Sequence, residues 1–561
     1  MAAVAQAPVH GAGSSAAADD ARLPRPARRA ELGLLVVALA IGIGAYALVS
    51  IKVVDRLPGD FYAQVLGFVA VALLAHLILR WKAPYADQVI LPATIALNGV
   101  GLAMIYRLDL ASQSSAKPHD LAGRQLEWTA IAVIAALAVV WFLKDHRLLR
   151  RYTYIAMLVG LGLVVLPLIP HVGRTINGAH IWVSLGPLSL QPAELAKIAF
   201  AIFFAGYLVT HRDTLALAGP KVMGLQLPRL QDLGPILVVW AASILVLVAE
   251  TDLGTSLLFF GLFVAMLYIA TQRVSWVLIG LVLMGLGAVF AASAFAHVQV
   301  RFDIWLHAFD SDVYNAAPGS GQLVRGLFGL ANGGLFGTGW GAGYPYLVPY
   351  AFSDFVYTSL GEELGLTGML AILMVYLIVV QRGLRTALGV RDGFGKLLAA
   401  GLAFTMAWQL FVVVGGVTRL IPLTGLTLPF VAQGGSSLLA NWLVIGLLLR
   451  ISDSARRPSF APERGQVAPG GILPDDDPTG PGAYPSAPVT PGGGTAATEI
   501  VLPDRGTAAT EVVLPDRGTA ATEVVLPGDL PSSTTGVPSV RPTPPPPPPP
   551  GGEATGEVRR G

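Results

Sequence analysis

Long apolar runs alternate with short polar segments from about residue 33 to about residue 450. Each run is close to the ~20 residues that an α-helix needs to cross a bilayer. Twelve such spans lie at 33–51, 60–80, 88–106, 127–143, 152–170, 192–210, 232–249, 253–271, 274–293, 353–381, 395–417 and 425–449. The pattern predicts an all-α polytopic membrane protein with about twelve transmembrane helices.

Composition supports a membrane protein and removes several kinds of chemistry. Of the 561 residues, 54% are hydrophobic and 13% are charged, and the mean hydropathy is +0.63. Because the sequence has no cysteine, it excludes disulfides, thiolate metal sites and cysteine nucleophiles. The formal net charge of +2 is too balanced to favour a nucleic-acid partner.

Basic residues are concentrated in alternate loops, as they are on the cytoplasmic side of membrane proteins. They collect before the first span, at Arg80 and Lys82, and in the stretches 144–151, 212–229, 382–396 and 450–457. This alternation predicts a multi-pass plasma membrane protein with both termini in the cytoplasm. The loops 171–191 and 294–352 then face outwards and are candidates for extracytoplasmic chemistry.

Both ends of the chain differ from the spans. Residues 1–32 are rich in Ala and Ser, end in a basic run and lack the apolar core of a secretory signal, so we expect a retained, disordered N-terminus. Residues 453–561 are rich in Pro, Gly, Thr and Ser and predict a disordered cytoplasmic tail. The tail contains near-identical twelve-residue repeats over 494–529 and a proline run at 544–550.

Each repeat in the tail presents a threonine followed by glutamate, at Thr498, Thr510 and Thr522. Phosphorylation of these side chains would create docking points for a phosphothreonine-binding partner. The alternative is an unselected expansion of a short DNA repeat within a linker.

Ionisable residues inside apolar spans are costly and are therefore candidates for function. Glu194 and Lys197 lie three residues apart at the start of the sixth span, so they share one helix face and can pair. Asp252 lies in the outer turn between the seventh and eighth spans. The alternatives are a structural ion pair and a helix N-cap at Asp252.

The loop 294–352 is long, polar and rich in glycine, and ordered loops of this length are commonly functional. A carboxylate at Asp310 or Asp312 could act as general base for a sugar hydroxyl, with Arg301 holding a phosphate. Ordinary solvation of exposed aspartates is the alternative.

Further polar residues lie in the tenth and twelfth spans. Asp354 is expected to be the N-cap of the tenth span, and Glu362 and Glu363 lie deep enough in it to need a partner, for which Arg419 is a candidate. The run Gly-Gly-Ser-Ser at 434–437 favours close helix packing or a break in a helix.

Five motifs in this order resemble the SEDS family, the bacterial proteins FtsW, RodA and SpoVE. They lie at 178–186, 191–197, 251–256, 353–368 and 425–437, within a similar region of about 88–452. The resemblance implies a peptidoglycan glycosyltransferase that polymerises lipid II on the outer face of the membrane, partnered by a class B penicillin-binding protein. The segment 436–442 and the long N-terminus are most similar to RodA-type members from high-GC Gram-positive bacteria, although a role in elongation or division stays open.

The resemblance also implies roles for individual residues. Asp312 is expected to be catalytic, with Asp310 as the alternative. The expected substrate-binding residues are Lys197, Glu194, Arg301, Trp182 and Asp252. The expected structural motif residues are Asp354, Glu362, Glu363, Pro429, Gly434, Gly435, Ser436 and Ser437.

Three features depart from the family pattern. The family core has ten spans, so the two helices within 33–87 are an extension. Ala432 and Gln433 replace a Ser-Tyr pair. A gapless alignment places Ser311 at the position of the family's essential aspartate, and one inserted residue is needed to place Asp312 there.

Two other functions remain open at the level of sequence. One is a flippase or transporter for lipid-linked precursors, which would need charges along a path across the membrane. The other is a non-catalytic scaffold for a wall synthase. No ligand set demands a cofactor, although a divalent cation such as Mg²⁺ or Mn²⁺ could assist the leaving group.

Overall fold

A computed structural model describes residues 27–112, 120–176, 179–185, 188–216, 221–222, 225–226 and 252–458. The predicted span 232–249, most of the N-terminal segment, the tail repeats and the proline run lie outside these residues. Within the described part, eleven helices are long and apolar enough to cross a membrane. The predicted all-α polytopic fold is confirmed for these spans.

The first half of the fold contains five of these spans and a small sheet. Its elements are α1 (Arg29–Val54), α2 (Phe61–Lys82), α3 (Ile90–Ser112), α4 (Leu121–Phe142), a 3₁₀ turn (His146–Tyr152), α5 (Thr153–Val165), a second 3₁₀ turn (Leu166–Leu168), β1 (Gly173–Ile176), β2 (Ala179–Leu185) and β3 (Leu188–Leu190). The three strands pair in the order β1-β2-β3, both pairs antiparallel. Sequence reasoning expected only a loop here.

The second half begins with α6 and contains the last six described spans. Its elements are α6 (Pro192–Ala216), β4 (Lys221–Val222), β5 (Leu225–Gln226), α7 (Leu253–Thr271), α8 (Ser275–Ala294), α9 (Ala296–Leu306), α10 (Ser311–Asn315), α11 (Gly321–Gly333), a 3₁₀ turn (Pro345–Leu347), α12 (Val356–Gly389), α13 (Gly393–Val417) and α14 (Gly435–Arg456). The loop 294–352 is thus partly helical.

The two additional N-terminal helices pack against the core. Helices α1 and α3 approach so closely that a Cβ added at Gly42 would lie 2.8 Å from the Cα atom of Gly99. The prediction of disorder through residue 32 is wrong for the described residues of this segment, because α1 begins at Arg29 and Arg28 is buried. Its guanidinium donates to the carbonyl oxygens of Ala83 and Ala86 and pairs with buried Glu31. These contacts fix the start of α1.

We call the end of the bundle that carries Arg80, Lys82, Lys144, Arg212 and Arg382 the basic end. Here the last turn of α14 is tied to the segment between α2 and α3. The carboxylate of Asp453 accepts the backbone N–H of Tyr85 at 2.9 Å, and Arg456 pairs with buried Asp87. The predicted disordered tail therefore does not begin at residue 453, because α14 continues to Arg456.

The last predicted span begins too early. Residues 425–434 are not helical, and α14 starts at Gly435. Gly425 and Phe430 have positive φ angles of 80° and 65°, which an α-helix cannot contain. Much of this apolar segment is buried, so its hydropathy is the same as that of a membrane-spanning helix.

Candidate functional site

The site lies at the end of the bundle opposite the basic end and is centred on Lys197. This side chain is only 1% exposed. Its ammonium donates to Glu194 Oε2 at 2.7 Å, Gln409 Oε1 at 3.0 Å and Asn441 Oδ1 at 3.1 Å. The predicted Glu194–Lys197 pair is confirmed. Because an ammonium has three N–H groups, these three acceptors use all of them.

Asp252 joins the start of α7 to the start of α6. It is the predicted N-cap of α7, since its carboxylate accepts the backbone N–H of Thr255 at 3.0 Å. Gln191, immediately before α6, donates its side-chain amide to Asp252 at 3.2 Å, and its backbone N–H donates to the Ser436 hydroxyl at 3.1 Å. Three motifs that are distant in sequence therefore meet around Gln191.

The non-helical segment 425–434 is buried beside this cluster. Four of its carbonyl oxygens accept hydrogen bonds from side chains, as irregular backbone at membrane depth requires. The carbonyl oxygens of Thr427 and Pro429 accept from the side chains of Gln409 and Tyr376, respectively. The carbonyl oxygens of Phe430 and Ala432 accept from the side chains of Asn98 and Gln125. Gln409 thus binds Lys197 and this segment at once.

The end of the segment 425–434 lies against two other parts of the site. The backbone N–H of Gln433 donates to the Phe352 carbonyl oxygen at 2.8 Å. A Cβ added at Gly435 would lie 2.1 Å from the Trp128 ring, so α14 and α4 pack closely there. Ser437 accepts the Asn441 amide through its carbonyl oxygen at 2.8 Å. The predicted close packing at the Gly-Gly-Ser-Ser run is confirmed at Gly435, and in place of a break within a helix the run contains the start of α14.

Arg301, in α9, interacts electrostatically with two carboxylates. Its guanidinium donates to the carbonyl oxygen of Leu423 at 2.8 Å and attracts both Asp252 and Asp354. Burial lowers the pKa of Arg301, and the two carboxylates oppose this change. Burial likewise raises the pKa of Asp252 despite its hydrogen bonds and Arg301. The loop 294–352 and the helix starts are therefore coupled electrostatically through Arg301.

Asp354 does not cap a helix as predicted. Helix α12 begins at Val356, Phe355 occupies the N-cap position, and no side chain caps this end. The chain turns before the helix, so Asp354 lies outside its first turn. Burial raises the pKa of Asp354 to about 6, although backbone N–H groups and Arg301 favour its charged form.

Asp310 and Asp312 are both exposed, on either side of the start of the five-residue helix α10. Asp310 occupies the N-cap position without capping the helix, and Asp312 lies in its first turn. The Ser311 hydroxyl lies 3.4 Å from the Asp312 carboxylate. The contacts of these aspartates do not join them to Lys197.

Glu362 and Glu363 hold the glycine-rich segment 333–343 rather than contacting Arg419. Glu363 pairs with Arg107 of α3 at 3.0 Å and accepts the Gly341 N–H at 3.0 Å. Glu362 accepts the side-chain amide of Asn332 at 3.0 Å. The prediction that Arg419 is the partner of these glutamates is wrong.

Arg419 instead caps the end of α9. It donates to the carbonyl oxygens of Trp305 and Leu306, both at 2.7 Å, and its own carbonyl oxygen accepts the Trp305 indole N–H at 3.1 Å. This exchange fixes α9, which carries Arg301.

Helix α12 is interrupted at Gly365, where φ is 68°. The N–H groups of Leu366 and Thr367 leave their usual acceptors in the helix and donate to Gly334 and Leu335. The vacated carbonyl oxygens of Glu362 and Glu363 accept N–H groups of residues 338 and 339 at 3.0 and 2.9 Å. The glycine-rich segment is thereby inserted into the hydrogen-bond ladder of a membrane helix.

Trp182 lies on β2 opposite Arg174 of β1 and is partly buried. The sheet precedes α6 directly, so it forms part of the same end of the bundle as Glu194 and Lys197. The structure places Trp182 near the site without a hydrogen bond to the other predicted residues.

Sequence reasoning missed four residues that organise the site, namely Gln191, Gln409, Asn441 and Arg107. Gln409 and Asn441 are polar side chains inside apolar spans, and this position could have marked them as candidate site residues. Arg107 follows directly after the predicted third span. Its pairing with Glu363, 256 residues away, has no local signature.

Two relatives are similar in sequence to this chain over about two thirds of its length or more. RodA of Mycobacterium tuberculosis, a peptidoglycan glycosyltransferase by name, is 49% identical over 440 residues, 78% of this chain and 92% of that protein. The stage V sporulation protein E of Bacillus subtilis is 31% identical over 378 residues, 66% of this chain and 98% of that protein.

Among solved structures, a single-residue mutant of RodA of Thermus thermophilus is 23% identical and matches 66% of this chain and 99% of that chain with a TM-score of 0.46. The sequence profile of the cell cycle protein family FtsW, RodA and SpoVE matches residues 88–457. This match covers more than half of the chain and all five motifs. The chain belongs to the FtsW, RodA and SpoVE family of multi-pass plasma membrane proteins.

Proposed function

We propose that the chain joins lipid II units into glycan strands at the outer face of the plasma membrane. It is a peptidoglycan glycosyltransferase, the activity named for its 49% identical relatives. The observation that supports the site is the set of hydrogen bonds from Gln191 to Asp252 and Ser436, and from Gln409 to Lys197 and Thr427. These bonds bring separate motifs together at one end of the bundle.

The reaction replaces one bond at a sugar carbon with another. The 4-hydroxyl oxygen of the acceptor GlcNAc forms a bond to the anomeric carbon of the donor MurNAc. The bond from that carbon to the pyrophosphate oxygen breaks, and undecaprenyl pyrophosphate leaves with the electron pair. A general base accepts the proton of the attacking hydroxyl.

We assign the general base to Asp312, with Asp310 as the alternative. Both carboxylates are exposed on the loop and are therefore open to a lipid-linked sugar from the membrane surface. Asp312 is held in the first turn of α10. That helix follows α9, whose end Arg419 fixes.

Arg301 is the better candidate than Lys197 for contact with the pyrophosphate. Lys197 has no N–H left for a phosphate, whereas Arg301 is only partly buried. A guanidinium presents five N–H donors. Only one guanidinium nitrogen of Arg301 donates to the carbonyl oxygen of Leu423, so other N–H groups remain for a phosphate. Lys197 and Glu194 then act by positioning the starts of α6 and α14 around the substrate.

The proposed orientation places the basic end and both termini in the cytoplasm. Because the chain has no cysteine, single cysteines report sidedness without background. In intact cells, a membrane-impermeant maleimide should label Phe336→Cys, at an exposed outer position, and should not label Arg151→Cys before lysis. The opposite labelling would reverse the topology.

Partners follow from the proposed reaction and the family resemblance. Lipid II is the substrate, and a class B penicillin-binding protein is the transpeptidase partner. A phosphothreonine-binding partner of the tail stays a prediction on residues that the structure does not describe. Among the described residues, no three His, Asp or Glu side chains are grouped to hold a metal, so no step is assigned to a divalent cation.

The test is lipid II polymerisation by the purified protein and by Asp312→Asn, Asp310→Asn and a matched exposed control, Asp303→Asn. Loss of the general base should reduce the rate by about 10²–10⁴. The control should retain activity. If only Asp310→Asn is inactive, the base assignment moves to Asp310.

The same measurement separates the rival functions. A double variant Asp310→Asn/Asp312→Asn that polymerises normally would remove the loop-base mechanism. A wild-type protein that fails to polymerise with its transpeptidase present, yet supports wall synthesis in cells, would favour a scaffold. Transfer of lipid II between leaflets without polymerisation would favour a flippase.

A further inference from the structure

The two additional N-terminal helices reach the glycine-rich segment 333–343 at the end of the bundle opposite the basic end. Gly341 has a φ angle of 77°, and a Cβ added there would lie 3.0 Å from Val53 Cγ2 and 3.1 Å from Lys52 Cβ. Both of these residues belong to the last turn of α1. The segment therefore passes α1 at a distance that leaves little room for a side chain.

Trp340, the residue before Gly341, packs against an apolar cluster that the additional helices share with the core. The buried members of this cluster include Tyr46 and Val49 of α1, Phe61 of α2 and Tyr106 of α3. The rings of Tyr46 and Tyr106 meet edge to face, with 4.5 Å between their centroids. Because Trp340 is partly buried, removal of its indole would leave a gap at this cluster.

The same segment is held by an ion pair of the core. Arg107, which follows Tyr106 on α3, donates to the carbonyl oxygen of Gly343 at 2.8 Å and pairs with Glu363. The backbone N–H of Gly341 donates to the same glutamate. Residues 341–343 thus contact both the Arg107–Glu363 pair and the end of α1.

The chain that follows the glycine-rich segment leads to the proposed site. Gln322, near the start of α11, donates its side-chain amide to the carbonyl oxygen of Pro349 at 3.0 Å. The carbonyl oxygen of Phe352 accepts the backbone N–H of Gln433 at 2.8 Å. Since α11 follows α10, which carries Asp312, a displaced segment would disturb both the proposed general base and the buried non-helical segment.

We propose that the two additional helices are a positioning element for the glycosyltransferase site, and that they act through Trp340 and Gly341. Helix α1 supports the glycine-rich segment in addition to the Arg107–Glu363 pair, so the loop keeps its geometry when substrate binds. The inference rests on the proposed function. It goes beyond that function by assigning part of the catalytic efficiency to helices that lie before the region matched by the family, residues 88–457.

Disulfide cross-linking of the full-length protein in membranes tests the contact without catalysis, because the chain has no cysteine of its own. Lys52→Cys/Gly341→Cys should cross-link on mild oxidation, since the two Cβ atoms would lie 3.1 Å apart, near the spacing of about 3.5–4.5 Å in disulfides. Lys52→Cys/Gly339→Cys is the matched control. The φ angle of Gly339 is also positive, but no described heavy atom lies within 4 Å of a Cβ added there.

The kinetics of lipid II polymerisation test the function of the contact. We expect Trp340→Ala to lower kcat about tenfold to a hundredfold and to change KM less than about twofold, because a misplaced loop affects the transition state more than substrate binding. Trp340→Phe keeps an aromatic ring at the cluster and should recover most of the rate. Phe336→Ala, at an exposed aromatic residue of the same segment, is the control and should behave as the wild type does.

A matched pair of glycines gives a second kinetic test. Gly341→Ala and Gly339→Ala both place a Cβ at a positive φ, and only the first Cβ meets α1. Gly341→Ala should therefore lose more activity than Gly339→Ala. Adding Val53→Ala removes the nearest contact atom, Cγ2, and should restore part of the activity of Gly341→Ala.

Several outcomes would overturn the proposal. Equal cross-linking of the two cysteine pairs would show that α1 does not hold the segment. An unchanged kcat in Trp340→Ala, even with a lower melting temperature, would leave Trp340 with a structural function only. A wild type that does not polymerise lipid II would refute the proposed enzymatic function, whereas the cross-linking result would still decide whether the additional helices fix the loop.

Discussion

At the scale of single residues, Lys197 is the most constrained charge in the described site. Replacing it with Met leaves Glu194 buried without its partner, which should cost about 3–5 kcal/mol of stability. The double variant Glu194→Gln/Lys197→Met should be less damaged, because no lone buried charge remains. Thermal unfolding in detergent measures both, with Lys144→Met as the exposed lysine control.

This comparison also separates structure from chemistry. If the double variant regains stability and polymerisation, the pair is only structural. If it regains stability but stays inactive, the positioning function that we propose for Lys197 is supported. A single variant as stable as Lys144→Met would contradict the buried-pair argument.

Asp354 gives a pH-dependent prediction. Its folded-state pKa of about 6 lies above the usual aspartate value, because burial disfavours the charged form. Its stabilising contribution is therefore present at low pH and is lost as pH rises through about 6. The melting temperature of the wild type, relative to that of Asp354→Asn, should fall between pH 4.5 and pH 7. A difference that stays constant or increases with pH would refute this assignment.

Charged site residues could be predicted from sequence better than their partners. The Glu194–Lys197 pair and the Asp252 cap follow from local spacing, and both are confirmed. The Arg419 partner was wrong because pairing between distant segments depends on the fold. The neutral amides of Gln409 and Asn441 carry little hydropathic signal, although they complete the environment of Lys197.

At the scale of elements, the interruption of α12 depends on Gly365. A Cβ there would lie 2.2 Å from the backbone nitrogen of Gly337, and the positive φ adds strain. We expect Gly365→Ala to lower the melting temperature strongly and to reduce polymerisation. Gly287→Ala on α8, where no heavy atom lies within 4 Å of an added Cβ, is the matched control and should be neutral or slightly stabilising.

Elements could be predicted where hydropathy and conformation agree. The segment 425–434 shows the limit, since its apolar residues are buried like those of a span while its backbone is not helical. Four of its carbonyl groups accept hydrogen bonds from side chains of α3, α4, α12 and α13. A window of hydropathy cannot detect such distant donors.

At the scale of the whole molecule, the contacts of α14 set where the chain can be shortened. Truncation after Pro458 keeps the pairs of Asp453 and Arg456 and should leave both stability and polymerisation unchanged. Truncation after Ser452 removes Asp453 with its bond to Tyr85, and Arg456 with its bond to buried Asp87. We expect that loss to cost about 3 kcal/mol.

Thermal unfolding and lipid II polymerisation of the two truncated proteins check this boundary. Equal stability of the two would show that the basic end does not need the last turn of α14. Inactivity of the chain that ends at Pro458 would instead give the tail a part in the chemistry.

The insertion of the glycine-rich segment into α12 has a consequence for the dynamics of the end of the bundle opposite the basic end. The amide protons of Thr338 and Gly339 are bonded to Glu362 and Glu363, and those of Leu366 and Thr367 to Gly334 and Leu335. The loop cannot open without breaking the helix, and the helix cannot fray there without releasing the loop. These four amides should therefore exchange with deuterium as one cooperative unit. A part of the protein that faces water thus acquires the lifetime of a membrane helix.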